Sequence, residues 1–235
     1  MTLIPKIEYH NLGELDFKSS WDYQEAVFKE RVARKLENRK LQEKDRQYLK
    51  NILLFVEHPN VYTLGKSGRS NNMLITDELL KKIEASYFHI DRGGDITYHG
   101  PGQIVGYPIF DLDQFGIHLK EYVYSLEECI ILFLKENNIN ASRLAGATGV
   151  WLEPSTTNAR KICAIGVKAS HYITMHGFAF NVNTNLDYFN YINPCGFTDK
   201  GVTSMKKELG KPQDLNNIRS RLKDIIILYF QNLVK

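Results

Sequence analysis

The chain has 235 residues, of which 43% are hydrophobic and 24% charged, and its formal net charge is +3. The apolar content is enough for a substantial core, which excludes intrinsic disorder, and the small net charge gives no reason to expect nucleic-acid binding. We predict that residues 1–235 fold as a single domain.

The first third of the chain is predicted to contain a strand, a long helix and two further strands. Apolar and β-forming residues predict strands at 7–12, 52–57 and 61–64. The helix is predicted from about residue 20 to the late thirties, with an apolar face formed by Trp21, Phe28, Val32 and Leu36. Because the run at 52–57 has no polar interruption, we expect a central strand that is covered on both faces.

The rest of the chain alternates groups of strands with helices. Strands are predicted at 87–91, 96–98, 104–112, 149–152 and 162–167, and residues 171–183 are predicted to form another pair of extended segments. Thr76 and Asp214 are predicted N-caps of two helices, and a third carries an apolar stripe formed by Leu119, Val123, Leu126, Ile130, Phe133 and Leu134. Since helices separate groups of strands, we predict an α/β (α+β) fold with a mixed sheet flanked by helices.

The ends of the chain and its cysteines bear on location. The start, MTLIPKIEYHNLGEL, has neither a basic segment followed by an apolar one nor an Arg- and Ser-rich leader, so we expect a cytoplasmic protein. The apolar run at 225–228 is too short to cross a bilayer, and no membrane association is expected. Cys129, Cys163 and Cys195 share no C-x-x-C spacing, which predicts neither a disulfide framework nor structural zinc.

Three common kinds of site are also excluded by pattern. Gly65-Lys66-Ser67 resembles the end of a phosphate loop, but Asn60 stands where that loop requires its first glycine. His171 and His176 are five residues apart in an extended region and there is no H-E-x-x-H, so no metal site is expected. No G-x-S-x-G elbow is present, which argues against a Ser-His-Asp hydrolase.

The most informative stretch is 91–113, DRGGDITYHGPGQIVGYPIFDLD. Four of its glycines lie within ten residues, and among them stand a fixed cation, a phenol and an imidazole; the residues are Gly93, Gly94, Gly100 and Gly102 with Arg92, Tyr98 and His99. Glycines at this density permit tight turns and let the backbone approach a ligand closely. We therefore predict a binding loop here.

Four blocks of this sequence resemble one known family. RGGDITYHGPGQ followed by GYPIFDL is similar to the signature of the lipoate-protein ligase B family, the octanoyl-[acyl-carrier-protein]:protein octanoyltransferases. RKICAIGV at 160–167, MHGFAFNVN at 175–183 and INPCG at 192–196 resemble the family's other blocks in the same order. The resemblance runs from about His58 to Gly210. It implies a single catalytic domain with a mixed sheet flanked by helices, similar to the catalytic module of biotin and lipoate ligases.

The resemblance also implies which residues act. Cys195, in the turn Asn-Pro-Cys-Gly, corresponds to the residue that is acylated, and Lys161 to its lysine partner, which would favour the thiolate as a base or as a neighbouring cation. The implied substrate-contacting residues are Arg92, Gly93, Gly94, Asp95, Ile96, Thr97, Tyr98, His99, Ala164, Ile165, Gly166, Gly177, Phe178 and Ala179. Cys163 stands where the family pattern leads us to expect alanine. His99 is open as donor, orienter or base, and His176 as any of these or as a structural imidazole.

The implied reaction moves an octanoyl group from octanoyl-acyl carrier protein to a specific lysine of lipoyl-dependent proteins, the first step of endogenous lipoate biosynthesis. The implied acceptors are the lipoyl domains of 2-oxoacid dehydrogenase E2 subunits and the glycine cleavage H protein, and no cofactor is implied. Two alternatives remain: an ATP-dependent lipoate or biotin ligase of the same fold, and a non-catalytic module that binds lipoyl proteins. Neither alternative requires a thiol nucleophile, so the presence of both Cys195 and Lys161 favours the transferase.

Overall fold

A computed structural model describes residues 4–193 and 200–234 as strands and helices arranged around a large mixed sheet. The strands are β1 (Ile7–Glu14), β2 (Asn51–Glu57), β3 (Val61–Leu64), β4 (Ser86–His89), β5 (Ile96–His99), β6 (Gln103–Ile109), β7 (Ser142–Leu144), β8 (Ala147–Leu152), β9 (Arg160–Ser170), β10 (Ile173–Asn181) and β11 (Gly201–Val202). The helices are α1 (Phe17–Asn38), α2 (Asp77–Lys82), α3 (Leu119–Glu136), α4 (Met205–Leu209) and α5 (Leu215–Gln231). The predicted α/β class with a mixed sheet is confirmed.

The large sheet has the strand order β1-β2-β6-β10-β9-β8-β7, and β11 pairs with the beginning of β9. The pairs β1/β2 and β9/β11 are parallel, and the other neighbours are antiparallel. A second, smaller sheet has the order β4-β3-β5. The beginning of β9, which carries Lys161, therefore lies between β8 and β11.

Strand β2 is buried along its whole length because helices cover both faces of the sheet. Leu53 and Phe55 point into the main core with α3 and α5, whereas Leu54 and Val56 point into a second core under α1. This alternation confirms the predicted central strand. Helix α1 packs on the same face of the sheet over the next two strands, β6 and β10.

Helix boundaries follow their caps. Asp16 accepts a hydrogen bond from the Ser19 backbone N–H, so α1 begins at Phe17, earlier than the apolar face alone predicts. Thr76 and Asp214 cap α2 and α5, as predicted. Within the described residues, no helix is long and apolar enough to cross a membrane.

Two of the predicted strand segments were wrong, and two short strands were missed. Residues 171–183 contain one strand, β10, instead of two, and it follows β9 through a two-residue turn at His171 and Tyr172. Both turn residues have positive φ, 50° and 65°, a conformation that neither residue type predicts. The strand predicted at 104–112 ends at Ile109, and 112–115 form a short 3₁₀ turn. The short strands β7 and β11 were not predicted.

Candidate active site

A cavity of about 1160 Å³ lies between the large sheet and the loop that joins β4 to β5. Its walls come from that loop, from β9 and β10, from the first turns of α3 and from the β7–β8 hairpin. This volume exceeds that of most small-molecule pockets, so the cavity has room for an extended chain.

The cavity brings together nearly all of the predicted site residues that the structure describes. Those lining it are Arg92, Gly93, Gly94, Asp95, Ile96, Thr97, His99, Lys161, Ala164, Ile165, Gly166, Gly177, Phe178 and Ala179. The side chain of Tyr98 points elsewhere: it is fully buried beside Tyr62 and Tyr188, and its hydroxyl donates to Asn60 Oδ1 at 2.7 Å. Cys195 lies outside the described residues.

The floor of the cavity is made of the smallest side chains of two adjacent strands. In the β9–β10 register Ala164 is opposite Ala179, and Gly166 is opposite Gly177. A Cβ on Gly166 would lie 2.8 Å from the Gly93 carbonyl oxygen, so the loop can rest on the sheet only because residue 166 is glycine. The result is a shallow slot beneath the loop.

Arg92 is buried and joins its loop to the small sheet. Its guanidinium donates to the carbonyl and hydroxyl oxygens of Thr63, at 2.8 and 3.0 Å, and to the Gly93 carbonyl at 2.9 Å. The Gly93 N–H in turn donates to the Val167 carbonyl at 2.9 Å. The cation therefore stabilises the shape of the loop and leaves a positive potential at the cavity wall.

The hydrogen bonds of His99 assign its tautomer. Gln103 Nε2 donates to the Tyr98 carbonyl and to Asn181 Oδ1, so its amide oxygen faces His99 Nδ1 at 2.9 Å. Nδ1 therefore carries the ring proton. Burial lowers the pKa of His99 to about 3, which keeps the ring neutral near pH 7.

Two further imidazoles lie behind the same wall. Burial lowers the pKa of His58 to about 4, and its Nε2 accepts from the Tyr107 hydroxyl at 2.9 Å. Burial also lowers the pKa of His176, whose Nε2 lies 3.4 Å from the Asp91 carboxylate. Asp91 also forms an ion pair with Lys168, and its pKa is held low by the hydrogen bond to His176 and by that lysine.

Lys161 lies on the opposite wall, at the start of β9. Its side chain is half-buried, and its Nζ is 4.7 Å from the centre of the Trp151 ring. The two other cysteines are poor candidates for chemistry: Cys129 and Cys163 are fully buried, and burial raises the pKa of each thiol. Neither is poised to become a thiolate near neutral pH.

Sequence reasoning missed the residues that support these walls. Trp151 and Glu127 both line the cavity and are almost fully buried, and Glu127 forms an ion pair with Arg143 at 2.9 Å. Gln103 and Asn181 form the hydrogen-bonded chain behind His99. A usable signal existed for Glu127 alone, because a carboxylate beside the apolar stripe of α3 needs a buried partner.

Potential metal ligands do not cluster in the part of the chain that the structure describes: no three His, Cys, Asp or Glu side chains could hold one ion.

Comparison with known folds confirms the predicted likeness to lipoate and biotin ligases. A putative lipoate protein ligase from Thermoplasma acidophilum with bound lipoic acid matches with a TM-score of 0.65 and 16% identity, over 97% of this chain and 86% of that one. A lipoate-protein ligase A bound with ATP gives a TM-score of 0.67 at 15% identity, over 97% and 85%. At these identities the likeness concerns the fold alone.

Sequence comparison gives the family. Residues 17–227 match the lipoyl protein ligase A/B catalytic domain. A protein of Parabacteroides distasonis named octanoyltransferase is 52% identical over 223 residues, covering 94% of this chain and 97% of that protein. An octanoyltransferase of Christiangramia forsetii is 51% identical over 229 residues, covering 97% and 95%. The chain therefore belongs to the lipoate-protein ligase B family and is an acyltransferase.

Proposed function

We propose that this acyltransferase moves an octanoyl group from octanoyl-acyl carrier protein to a specific lysine of lipoyl-bearing proteins, through a thioester on Cys195. The single observation that carries the proposal is Lys161, a half-buried amine on the wall of a cavity whose floor is bare of large side chains. We choose octanoyl as the transferred group because the related proteins are named octanoyltransferases. We further propose that the whole chain is one catalytic domain.

The first step transfers the acyl group to the enzyme. The Cys195 thiolate attacks the thioester carbonyl carbon of the donor, a new C–S bond forms, and the bond to the pantetheine sulfur breaks. The departing thiolate takes a proton from the Lys161 ammonium and leaves as a thiol, so Lys161 enters the second step as a neutral amine. The ammonium form of Lys161 favours the attacking thiolate and faces the negative charge that develops in the transition state.

The second step transfers the acyl group to the acceptor. The neutral amine of the target lysine attacks the Cys195 thioester, an amide bond forms, and the Cys195 thiolate leaves. The amine must lose a proton as the amide forms, and we assign the role of base to the neutral form of Lys161. Because the donor is already activated as a thioester, neither step consumes ATP.

The acyl chain is proposed to lie in the slot beneath the 92–95 loop. Ala164 and Ala179 leave space above the sheet, and Val105, the β6 partner of Ala179, supplies an apolar contact on the same face. The imidazoles of His99 and His58 are neutral and bonded to protein groups, so they shape this end of the cavity. The proposed acceptors are the lipoyl domains of 2-oxoacid dehydrogenase E2 subunits and the glycine cleavage H protein.

The test is transfer from octanoyl-acyl carrier protein to an apo lipoyl domain in the absence of ATP and Mg²⁺, followed by intact mass. We expect the acceptor to gain one octanoyl group, and an acceptor whose target lysine is replaced by arginine to gain none. A strict requirement for ATP with free octanoate would instead identify a ligase. Binding of the acceptor without any change in its mass would identify a non-catalytic module.

A further inference from the structure

The inference concerns Trp151 and rests on the role proposed for Lys161. We infer that Trp151 is a positioning residue whose ring face holds the Lys161 ammonium against the cavity wall, and that Glu127 holds the backbone on which this contact depends. The indole of Trp151 offers neither a nucleophile nor a proton acceptor. Its effect on transfer would pass through Lys161.

The two side chains meet because they are cross-strand partners. Trp151 is paired with Lys161 in the β8–β9 register, so both project from the same face of the sheet. The register shifts between Val150 and Trp151, and such an irregularity re-aims the following side chain. The resulting distance of 4.7 Å from Nζ to the ring centre is well within the range of a cation–π contact.

The ring is itself fixed. Trp151 is only 2% exposed, and its indole N–H donates to the Ala147 carbonyl at 3.1 Å, within the same strand. A large, buried, hydrogen-bonded ring loses little further freedom when a lysine settles on it. The ring is therefore preorganised for the contact, whereas the flexible side chain of Lys161 must be held in one conformation by its surroundings.

The backbone of Gly149 lies beside the Lys161 side chain and restricts its conformation. A Cβ there would lie 3.5 Å from both Cδ and Cε of Lys161, so the stem runs alongside bare backbone. Gly149 has a φ of 120°, and the same Cβ would lie 2.5 Å from the Cys163 carbonyl oxygen, so no larger residue fits without strain.

Helix α3 secures Gly149 in turn. The Gly149 N–H donates to Glu127 Oε1 at 2.9 Å, and Glu127 Oε2 accepts from Arg143 Nε at 2.9 Å. A buried, ion-paired carboxylate thus holds the β8 backbone beside the lysine stem. The contacts therefore run from α3 through Gly149 to the Lys161 stem, and Trp151 contacts the Lys161 ammonium.

A ring face favours the ammonium over the neutral amine by about two- to thirtyfold. Trp151 should therefore support the cationic role of Lys161, which is used when the Cys195 thiolate forms and attacks. It should do less for the later step, in which the neutral amine takes a proton. Loss of the ring should slow acylation of Cys195 more than it slows release of the acyl group to the acceptor.

The experiment compares Trp151→Leu and Trp151→Phe, with Trp21→Leu as matched control, since Trp21 is the only other tryptophan and does not line the cavity. The readouts are the pH profile of Cys195 alkylation by iodoacetamide and single-turnover acylation by octanoyl-acyl carrier protein. Trp151→Leu should move the alkylation midpoint upward by about 0.5–1 pH unit and slow acylation about three- to thirtyfold. Trp151→Phe should restore part of both, and Trp21→Leu should change neither.

A double substitution separates positioning from general damage. In a Lys161→Met background, replacing Trp151 by Phe or Leu should no longer shift the alkylation midpoint. An equal shift in both backgrounds, or Trp151→Phe as impaired as Trp151→Leu, would overturn the inference. If Trp151→Leu does not fold, the comparison of Trp151→Phe in the two backgrounds tests the inference by the same criterion. Failure of the proposed function is distinct, since alkylation is measured without any acyl donor.

Discussion

The two walls of the cavity use polar residues in opposite ways. On the glycine-rich wall, residues 92–99 with His58 and His176 behind them, the polar side chains are buried and bonded to other protein groups. On the lysine wall, formed by the end of β8 and the start of β9, a half-buried amine rests on an aromatic ring and faces the cavity. The first wall gives the cavity its shape, and the second carries the Lys161 amine, which is proposed to take part in the reaction.

Stability and activity measurements should therefore respond differently to substitutions on the two walls. Substitutions on the glycine-rich wall should lower the free energy of unfolding, because they leave buried partners without hydrogen bonds. On the lysine wall, replacement of the half-buried Lys161 side chain should lower the rate of transfer with little loss of stability. Any residue whose replacement behaves in the opposite way would show that the division is drawn in the wrong place.

The largest effect is expected at Lys161. Lys161→Met keeps comparable bulk but removes charge and basicity, so the transfer rate should fall about 10²- to 10⁴-fold while the melting temperature changes little. Steady-state transfer and thermal unfolding measure the two quantities on the same sample. The alkylation profile of Cys195 should also move to higher pH.

Lys161→Arg is the matched control, because arginine keeps the positive charge and cannot accept a proton. We expect this variant to retain some low-pH alkylation of Cys195 and to remain impaired in amide formation. Transfer at the wild-type rate would show that Lys161 is not the base. An alkylation profile that is the same in Lys161→Met and wild type would show that Lys161 does not act on Cys195.

The next effect is acid sensitivity, which belongs to the glycine-rich wall. The folded-state pKa is about 4 for His58 and about 3 for His99, and it is lowered for His176, against about 6.5 in an unfolded chain. Below about pH 6.5 the unfolded state therefore binds more protons than the folded state, and stability falls as the pH falls toward these lowered values. Each imidazole contributes up to about 1.4 kcal/mol per pH unit over the range in which it is protonated in the unfolded chain and neutral in the folded protein.

Urea unfolding at pH 7, 6 and 5 measures that slope. His58→Gln should make the slope shallower by up to about 1.4 kcal/mol per pH unit, since one proton fewer is taken up on unfolding. A free energy of unfolding that stays constant from pH 7 to pH 5 would mean that these imidazoles are accessible to protons in the folded protein.

A smaller effect is expected for Arg92→Met, about 2–4 kcal/mol in the free energy of unfolding, because the buried oxygens of Thr63 and Gly93 lose a charged donor. Arg221→Met is the surface control: its ion pair with Glu136 is about half exposed and should be worth less than about 1 kcal/mol. Equal stability losses in the two variants would argue against a structural role for Arg92.

The smallest effect concerns the floor of the slot. Ala164→Val adds two methyl groups where the acyl chain is proposed to lie, and should shift preference toward shorter acyl groups by about tenfold in kcat/KM. Ala169→Val makes the same change farther along β9, outside the cavity lining, and should leave chain-length preference unchanged. If both variants prefer the same acyl length as wild type, the chain does not lie over Ala164.

The sequence predicted the glycine-rich wall well and the lysine wall poorly. Glycine spacing and the family blocks located the 92–99 loop, and strand alternation alone could have corrected Tyr98, since it stands between Thr97 and His99 and must point to the other face of β5. The contact between Trp151 and Lys161 depends on a register shift between β8 and β9, in which one step along β8 matches two along β9, and no residue type marks it. The tight turn between β9 and β10 was equally invisible, because His171 and Tyr172 adopt positive φ without a glycine.

The most direct test of the account is the intact mass of the enzyme after brief exposure to octanoyl-acyl carrier protein without an acceptor, with peptide mapping of the modified residue. The account predicts one octanoyl group on Cys195, none in Cys195→Ala, and slower accumulation in Lys161→Met. Octanoylation that persists in Cys195→Ala, or that maps to the buried Cys129 or Cys163, would contradict it.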